Sequence, residues 1–361
     1  MLERIWKKVL RCEGFTPWTL LRPLLWAVSL AYYLLHLARR SLSHVTVKVS
    51  VPVLSVGNIS VGGTGKTPLV AFIARQLSER GWRVGIAASG YGRRGKQTVC
   101  GYGKQLVGLS ADEIGDEVKL LAQMLPEVVI AVDRSKAEAS KHLAASGKVD
   151  LIIVDDGFQH ARLARDLDVV VIDASVPLRL YHLFPLGIQR EPLSGLKRAD
   201  VIVLSRASLG ADLPELTARL KRVNSTAPRY RAEFGLSELV GNWRRFPVSY
   251  MRDKSVMLFA GVGNFPALRK EVEKHSARVV HGLELGDHQR YDQTLLQKIR
   301  RLAEQQRPDF LLTTAKDWTK VSSFDFGREI YYVAQTVKLE PEAEQFIAFI
   351  ATQLGRMSTG D

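Results

Sequence analysis

The sequence predicts an α/β fold: a doubly wound parallel sheet with a second, smaller α/β domain and an N-terminal membrane-associated helix. Three observations predict it. Short apolar runs alternate with amphipathic helical stretches from Val53 to about Leu204. A glycine-rich loop ending in Gly65-Lys66-Thr67 joins the first run to the first of those helices. A later run, Leu151-Ile152-Ile153-Val154, ends in Asp155-Asp156.

The N-terminal helix comes first. Residues 1–50 carry Arg4, Lys7, Lys8, Arg11, Arg22, Arg39, Arg40 and Lys48 against Glu3 and Glu13. Pro23 to Ala38 has no formal charge, and as a helix it would be about 24 Å long. A hydrocarbon core is roughly 30 Å thick, so the segment is marginal for spanning. Trp6, Trp18, Trp26, Tyr32 and Tyr33 with basic flanks suit a membrane interface. The expectation is an anchor that dips into the bilayer or spans it briefly, with a buried core helix as the competing reading. Export by a cleaved signal is disfavoured, because it would part the glycine loop from cytoplasmic ATP.

The parallel sheet follows. Val53–Val56, Val84–Ala88, Val128–Val132, Leu151–Val154, Val169–Ile172 and Val201–Leu204 are apolar runs without strict alternation. That pattern suits strands covered on both faces. Helices are expected over Lys66–Arg80, Asp116–Met124 and Ser135–Ser146, the first from the stripe Leu69, Val70, Phe72, Ile73 and Leu77. Ligands of such sheets bind at the carboxyl ends of the strands.

Between Val53 and Pro68 lies the site expected to hold a nucleoside triphosphate, which makes the fold P-loop NTPase-like. Gly62, Gly63, Thr64 and Gly65 let backbone N–H groups curl around phosphate oxygens at a helix N-terminus. Lys66 can reach the β- and γ-phosphates, and the Thr67 hydroxyl can ligate Mg²⁺. Ser60 stands where the pattern G-x-x-x-x-G-K-[ST] begins with glycine. The run ending in Asp155-Asp156 reads as a Walker B strand, delivering a carboxylate beside the loop. Gly90-Tyr91-Gly92-Arg93-Arg94-Gly95-Lys96 is a basic loop after the second strand that could grip an anionic substrate. Gly115-Asp116-Glu117 opens a helix, where carboxylates are favoured on dipole grounds alone. Arg190-Glu191-Pro192 and Ala315-Lys316-Asp317 by themselves read as surface charge, and His288 as structural.

After Arg206 the character changes: a helix over Leu213–Val223, then an irregular connection to about residue 250, then a second α/β pattern from Ser255. Its later strands are expected near Phe310–Thr314 and Ile330–Val333, and the tail after Gly355 is expected to fray. The division expected is 1–45, 46–234 and 235–361.

The 361 residues are 46% hydrophobic and 24% charged, as in a folded protein with room for two cores. Cys12 and Cys100 offer neither a disulfide framework nor a metal cluster. The net charge of +14 calls for an acidic partner. The N-terminal segment favours an anionic membrane or phosphorylated substrate over nucleic acid.

Several motifs occur in one order: 57–68, Gly90–Arg93, Gly115–Glu117, Val132–Arg134, Asp155–His160, Leu183–Pro192, Arg198–Asp200 and Asp287-His288. With them, from the N-terminal anchor to about residue 320, the chain closely resembles the tetraacyldisaccharide 4'-kinase family. The resemblance implies that ATP phosphorylates the 4'-hydroxyl of a tetraacylated glucosamine disaccharide 1-phosphate, a step of lipid A biosynthesis, at the cytoplasmic face of the inner membrane. By that resemblance Asp116 would be the general base, paired with His288. Lys66 would neutralise the transferring phosphoryl group, and Asp155, Asp156 and Glu191 would gather around Mg²⁺ with Thr67. Tyr91, Arg134, Gln159 and Arg190 match positions near nucleotide or substrate. The partners implied are the glycolipid and the membrane surface, with no nucleic acid and no obligate protein partner.

Two positions depart from the family pattern. Ser89 stands where an arginine is expected, for which Arg93 or Arg94 could substitute, and Ala315 stands where a glutamate is expected. A competing class is a membrane-associated switch ATPase of the partitioning kind. Such proteins usually carry a signature lysine at the position held here by Val61.

Overall fold

The computed structural model describes residues 21–41, 46–262, 265–286, 289–341 and 343–358. Among them the strands run in chain order as β1 (Val53–Asn58), β2 (Val84–Ala88), β3 (Val99–Tyr102), β4 (Val129–Val132), β5 (Leu151–Asp155), β6 (Leu167–Asp173) and β7 (Val201–Ser205). After these come β8 (Arg229–Val240), β9 (Arg245–Pro247), β10 (Ser255–Ala260), β11 (Arg278–Glu284), β12 (Phe310–Thr314) and β13 (Ile330–Glu340). The chain divides into two compact units that are not contiguous in sequence. The first comprises 1–88, 135–233 and 339–361; the second comprises 89–134 and 234–338.

In the first unit the order β7-β6-β1-β5-β2 is parallel throughout, and the start of β8 adds to β7 in parallel. Every residue of β1, β2, β5 and β7 is buried, which is why these strands read as continuous apolar runs. The helix Lys66–Glu79 buries Leu69, Val70, Ile73 and Leu77, the face its sequence stripe predicts. A second helix, Lys136–Ala145, starts at Ser135, whose hydroxyl accepts from the Glu138 N–H. The expected α/β fold with a largely parallel sheet is present.

In the second unit β11-β10-β12-β13 is parallel, and β3 pairs with β4 antiparallel. Its core gathers Leu236, Leu239, Met251, Val256, Leu258 and Phe310. The irregular connection expected before residue 250 is instead the twelve-residue strand β8 and its partner β9. Tyr230, Ala232, Leu236, Leu239 and Val240 are its buried positions. Alternation holds from Tyr230 through Leu236 and slips at Ser237-Glu238, which hides the full length of the strand from a period-two reading. The last helix, Ala343–Ser358, continues past Gly355.

The helix Arg22–Ser41 is inverted in polarity. Ser29 is 5% exposed, accepts from the Leu186 N–H and donates to the Leu183 carbonyl oxygen, both at 3.0 Å. Leu24, Trp26, Leu34 and Leu35 face outward, Trp26 being 60% exposed. No described helix is long and apolar enough to cross a membrane.

Candidate nucleotide and phosphoryl-transfer site

Close backbone packing builds the first unit's site. A Cβ on Gly57 would fall 2.5 Å from Phe158 Cβ, so glycine is what lets the end of β1 meet the turn after β5. Beyond β1 the chain pairs with a second segment. Val61 N–H donates to the Ile188 carbonyl, and Arg190 N–H to the Ile59 carbonyl, each at 2.7 Å. This short ladder holds Arg190 beside the glycine loop. Gly62 and Gly65 have φ of 103° and 88°, a region that L side chains resist. Side chains at Gly62 or Gly63 would meet nothing within 4 Å. Both glycines are exposed, which leaves room for a phosphate beside their backbone. Asn58 Nδ2 donates to Thr64 Oγ1 at 3.1 Å, while Asn58 Oδ1 is buried with no partner.

Lys66 and Thr67 open the helix behind that cradle. Lys66 Nζ lies 3.3 Å from Asp156 Oδ1, and Arg190 Nη1 lies 3.0 Å from Asp156 Oδ2. Asp156 itself has a left-handed φ of 54°. That conformation turns its side chain away from the path of β5, where Asp155 ends the strand in a buried position. Burial alone would raise the Asp156 carboxyl, but Lys66, Lys136 and Arg190 outweigh it and hold it down at about 2. The structure therefore brings Lys66, Asp156 and Arg190 together.

Glu191 and Gln159 are committed elsewhere. Glu191 is 1% exposed, not surface charge as its sequence neighbourhood suggests. Arg198 Nη1 donates to Glu191 Oε2 at 2.8 Å and Nη2 to Oε1 at 2.9 Å. Gln159 Nε2 donates to Glu191 Oε1 at 2.7 Å and to the Asn58 carbonyl at 2.6 Å. Arg198 also lies 3.7 Å over the Phe158 ring. Among the described residues no three His, Cys, Asp or Glu side chains are arranged to hold a metal. The donor set still fits Mg²⁺, which binds through one or two carboxylates plus substrate phosphates instead of an all-protein cage.

Asp116, Tyr91 and Arg134 belong to the second unit. Gly115 has φ of 89°, and a Cβ there would lie 2.9 Å from the Gly90 carbonyl carbon. The N-terminus of the helix Asp116–Met124 is thus pressed against the loop carrying Tyr91. Tyr91 and Arg134 are exposed. Asp116 Oδ2 is 2.7 Å from Lys320 Nζ. His288, expected beside Asp116, lies outside the described residues. Of the two candidates to replace the arginine missing at Ser89, Arg94 pairs with Asp112 at 3.3 Å. Arg93 is buried and donates to the Gln97 carbonyl at 2.9 Å. Asp317, also read as surface charge, is buried and accepts from the Gly261 N–H at 2.9 Å.

Three residues of the first unit's site escape sequence reasoning. Lys136 is only 8% exposed and donates to the Asp156 carbonyl oxygen. Arg206, with a left-handed φ of 53°, donates to the Gly63 carbonyl at 3.0 Å and pairs with Asp173. Arg198 holds Glu191, as above. Only Arg198 had a signal, as part of the Arg198–Asp200 motif.

A glycine cradle, a lysine at the start of the following helix, and paired aspartates at the end of a parallel strand define a P-loop protein built for phosphate chemistry. The chain belongs to the tetraacyldisaccharide-1-P 4'-kinase (LpxK) family, whose model matches residues 21–355, and it is a kinase. It is 34% identical over 319 residues to the tetraacyldisaccharide 4'-kinase of Halothermothrix orenii, covering 83% of each chain. It is 36% identical over 287 residues to that of Geobacter metallireducens, covering 78% of this chain and 82% of the relative. A solved structure of LpxK from Aquifex aeolicus in complex with ATP matches with a TM-score of 0.73 at 27% identity. That match covers 92% of this chain and 99% of the other.

Proposed function

We propose that this kinase transfers the γ-phosphate of ATP to the 4'-hydroxyl of a tetraacylated glucosamine disaccharide 1-phosphate, a step of lipid A biosynthesis. The observation that carries the reading is the cluster of Lys66, Arg190 and Asp156 beside an open glycine cradle. Two cations are held there beside the cradle, paired with a carboxylate that phosphate oxygens would replace. Family membership disfavours the partitioning ATPase.

In this reading Gly62, Gly63, Thr64 and Gly65 bind the triphosphate through backbone N–H groups. Lys66 offsets charge developing on the transferring group, and Arg190 steadies the terminal phosphates. Thr67 and Asp155 would hold Mg²⁺. Asp156 and Glu191 join that set only by exchanging the partners they now have. When bound, Mg²⁺ would supply positive charge that offsets part of the charge of the triphosphate. Asp116 accepts the proton of the sugar hydroxyl, with His288 tuning it, and Tyr91, Arg134 and Gln159 position substrate. We assign these roles to a kinase domain over 46–234 and a smaller domain over 235–361.

The outward apolar face of Arg22–Ser41 supports a place for residues 1–45 at the cytoplasmic face of the inner membrane, where an acylated disaccharide resides. No protein partner is needed for this chemistry. The test is an assay of full-length protein with Mg²⁺, γ-labelled ATP and the acylated disaccharide 1-phosphate in detergent micelles. Label should move into organic-soluble glycolipid, and Asp116→Ala should abolish transfer while leaving folding and ATP binding intact. Label released only as free phosphate would overturn the assignment.

A further inference from the structure

The ion pair between Asp116 and Lys320 is used by none of the roles above. Asp116 opens the helix Asp116–Met124, and Lys320 comes from the helix Ala315–Val321, both in the second unit. Lys320 Nζ lies 2.7 Å from Asp116 Oδ2, and the two side chains are only 14% and 13% exposed. The same ammonium donates to the Gln289 carbonyl oxygen at 3.2 Å. Gln289 follows His288 directly in the sequence.

The mount of Lys320 is firm. Thr314 Oγ1 donates to Asp317 Oδ2 at 2.7 Å and accepts from the Asp317 N–H at 3.2 Å, capping the helix. Asp317 Oδ2 also accepts from the Gly261 N–H at 2.9 Å, which pins that helix to the end of β10. A Cβ on Gly261 would fall 2.6 Å from the Gly286 carbonyl oxygen, so the 286 backbone packs against the same corner. Other charged groups around the Asp116 helix have partners of their own. Asp112 pairs with Arg94, Glu113 accepts from Ser110, and Lys104 pairs with Glu127.

An exposed lysine–carboxylate pair does little, because water screens it and both chains lose entropy. This pair is largely withdrawn from water and its ammonium has a second acceptor. Its geometry is therefore held by more than the pair itself. We propose that Lys320 is a positioning residue for phosphoryl transfer. Its ammonium holds the Asp116 carboxylate in one orientation and ties it to the backbone at Gln289. The proposal rests on Asp116 being the base. In a loose phosphoryl-transfer transition state an aimed, ionised carboxylate matters more than a strongly basic one.

The experiment compares full-length Lys320→Met, Lys320→Arg and Lys320→Gln in the micelle assay, with Asp116→Ala alongside. Lys320→Met should lower kcat roughly 10- to 100-fold and leave KM for ATP within about threefold. Lys320→Arg, which keeps the charge, should recover most of kcat, and Lys320→Gln should not. If Lys320→Met does not fold, the Arg and Gln variants decide by the same contrast. Wild-type kcat in Lys320→Met, or equal loss in Lys320→Arg and Lys320→Gln, would overturn the proposal. Normal turnover in Asp116→Ala would instead remove the base assignment.

Discussion

Lys66 Nζ and Asp156 Oδ1 lie 3.3 Å apart, and Arg190 reaches the other oxygen of the same carboxylate at 3.0 Å. Asp156 thus neutralises both cations of the first unit's site, and a triphosphate must compete with it for them. Asp156→Asn should tighten metal-free ATP binding by about tenfold, the worth of one charged hydrogen bond released. The same variant should lower kcat with Mg²⁺ by roughly 100-fold or more, since a carboxylate is lost where charge is transferred. Calorimetric titration with and without Mg²⁺, beside turnover, checks both signs.

The buried pair of Glu191 and Arg198 makes a stability prediction. Arg198→Met leaves a carboxylate that is 1% exposed with Gln159 alone. The expected loss is about 3 kcal/mol, as for other buried pairs broken on one side. Urea denaturation should show the midpoint falling with little change in slope. A midpoint equal to that of the parent would mean that the pair contributes nothing net to stability.

Gly115 ties backbone geometry to chemistry. Gly115→Ala places a methyl group at a φ of 89° and against the Gly90 backbone. Left-handed strain alone costs about 1–2 kcal/mol. The melting temperature should fall, and turnover should fall further than stability explains, because Asp116 is the next residue. Gly63→Ala is the contrast: its Cβ would meet nothing, so melting should hardly move.

His160 supplies a pH dependence. Burial, then Lys136, Arg165 and Arg162, lowers its pKa from 6.5 to about 4. The folded state therefore favours neutral imidazole, and the unfolded chain binds the extra proton between those values. This contribution to stability is complete above pH 6.5 and is lost as pH falls to about 4. His160→Gln should flatten the melting-temperature profile in that window. The depressed Asp156 carboxyl acts lower, its contribution being lost only as pH falls below 3.8 towards about 2.

Legibility followed the range of the interactions. The glycine loop, the helix behind it and the Asp155-Asp156 strand end are local, so their residues could be named from spacing. Strand β8 was missed because its alternation covers only Tyr230 to Leu236 and breaks at Ser237-Glu238, short of its end. Glu191 and Asp317 read as surface charge because what buries them is distant or separately encoded: Arg198 for one, the Gly261 N–H for the other. Lys136 and Lys320 look like ordinary helical lysines until their acceptors are seen.

By itself the sequence determined the α/β class, the phosphate loop and the family, because each rests on residues adjacent in the chain or repeated at a fixed period. Tertiary structure alone decided which carboxylate each cation meets: Lys66 and Arg190 with Asp156, Arg198 with Glu191, Lys320 with Asp116. The reason is physical. An ion pair has no sequence period, and its partner is chosen by how strands and helices pack after the backbone has met its own hydrogen-bonding needs.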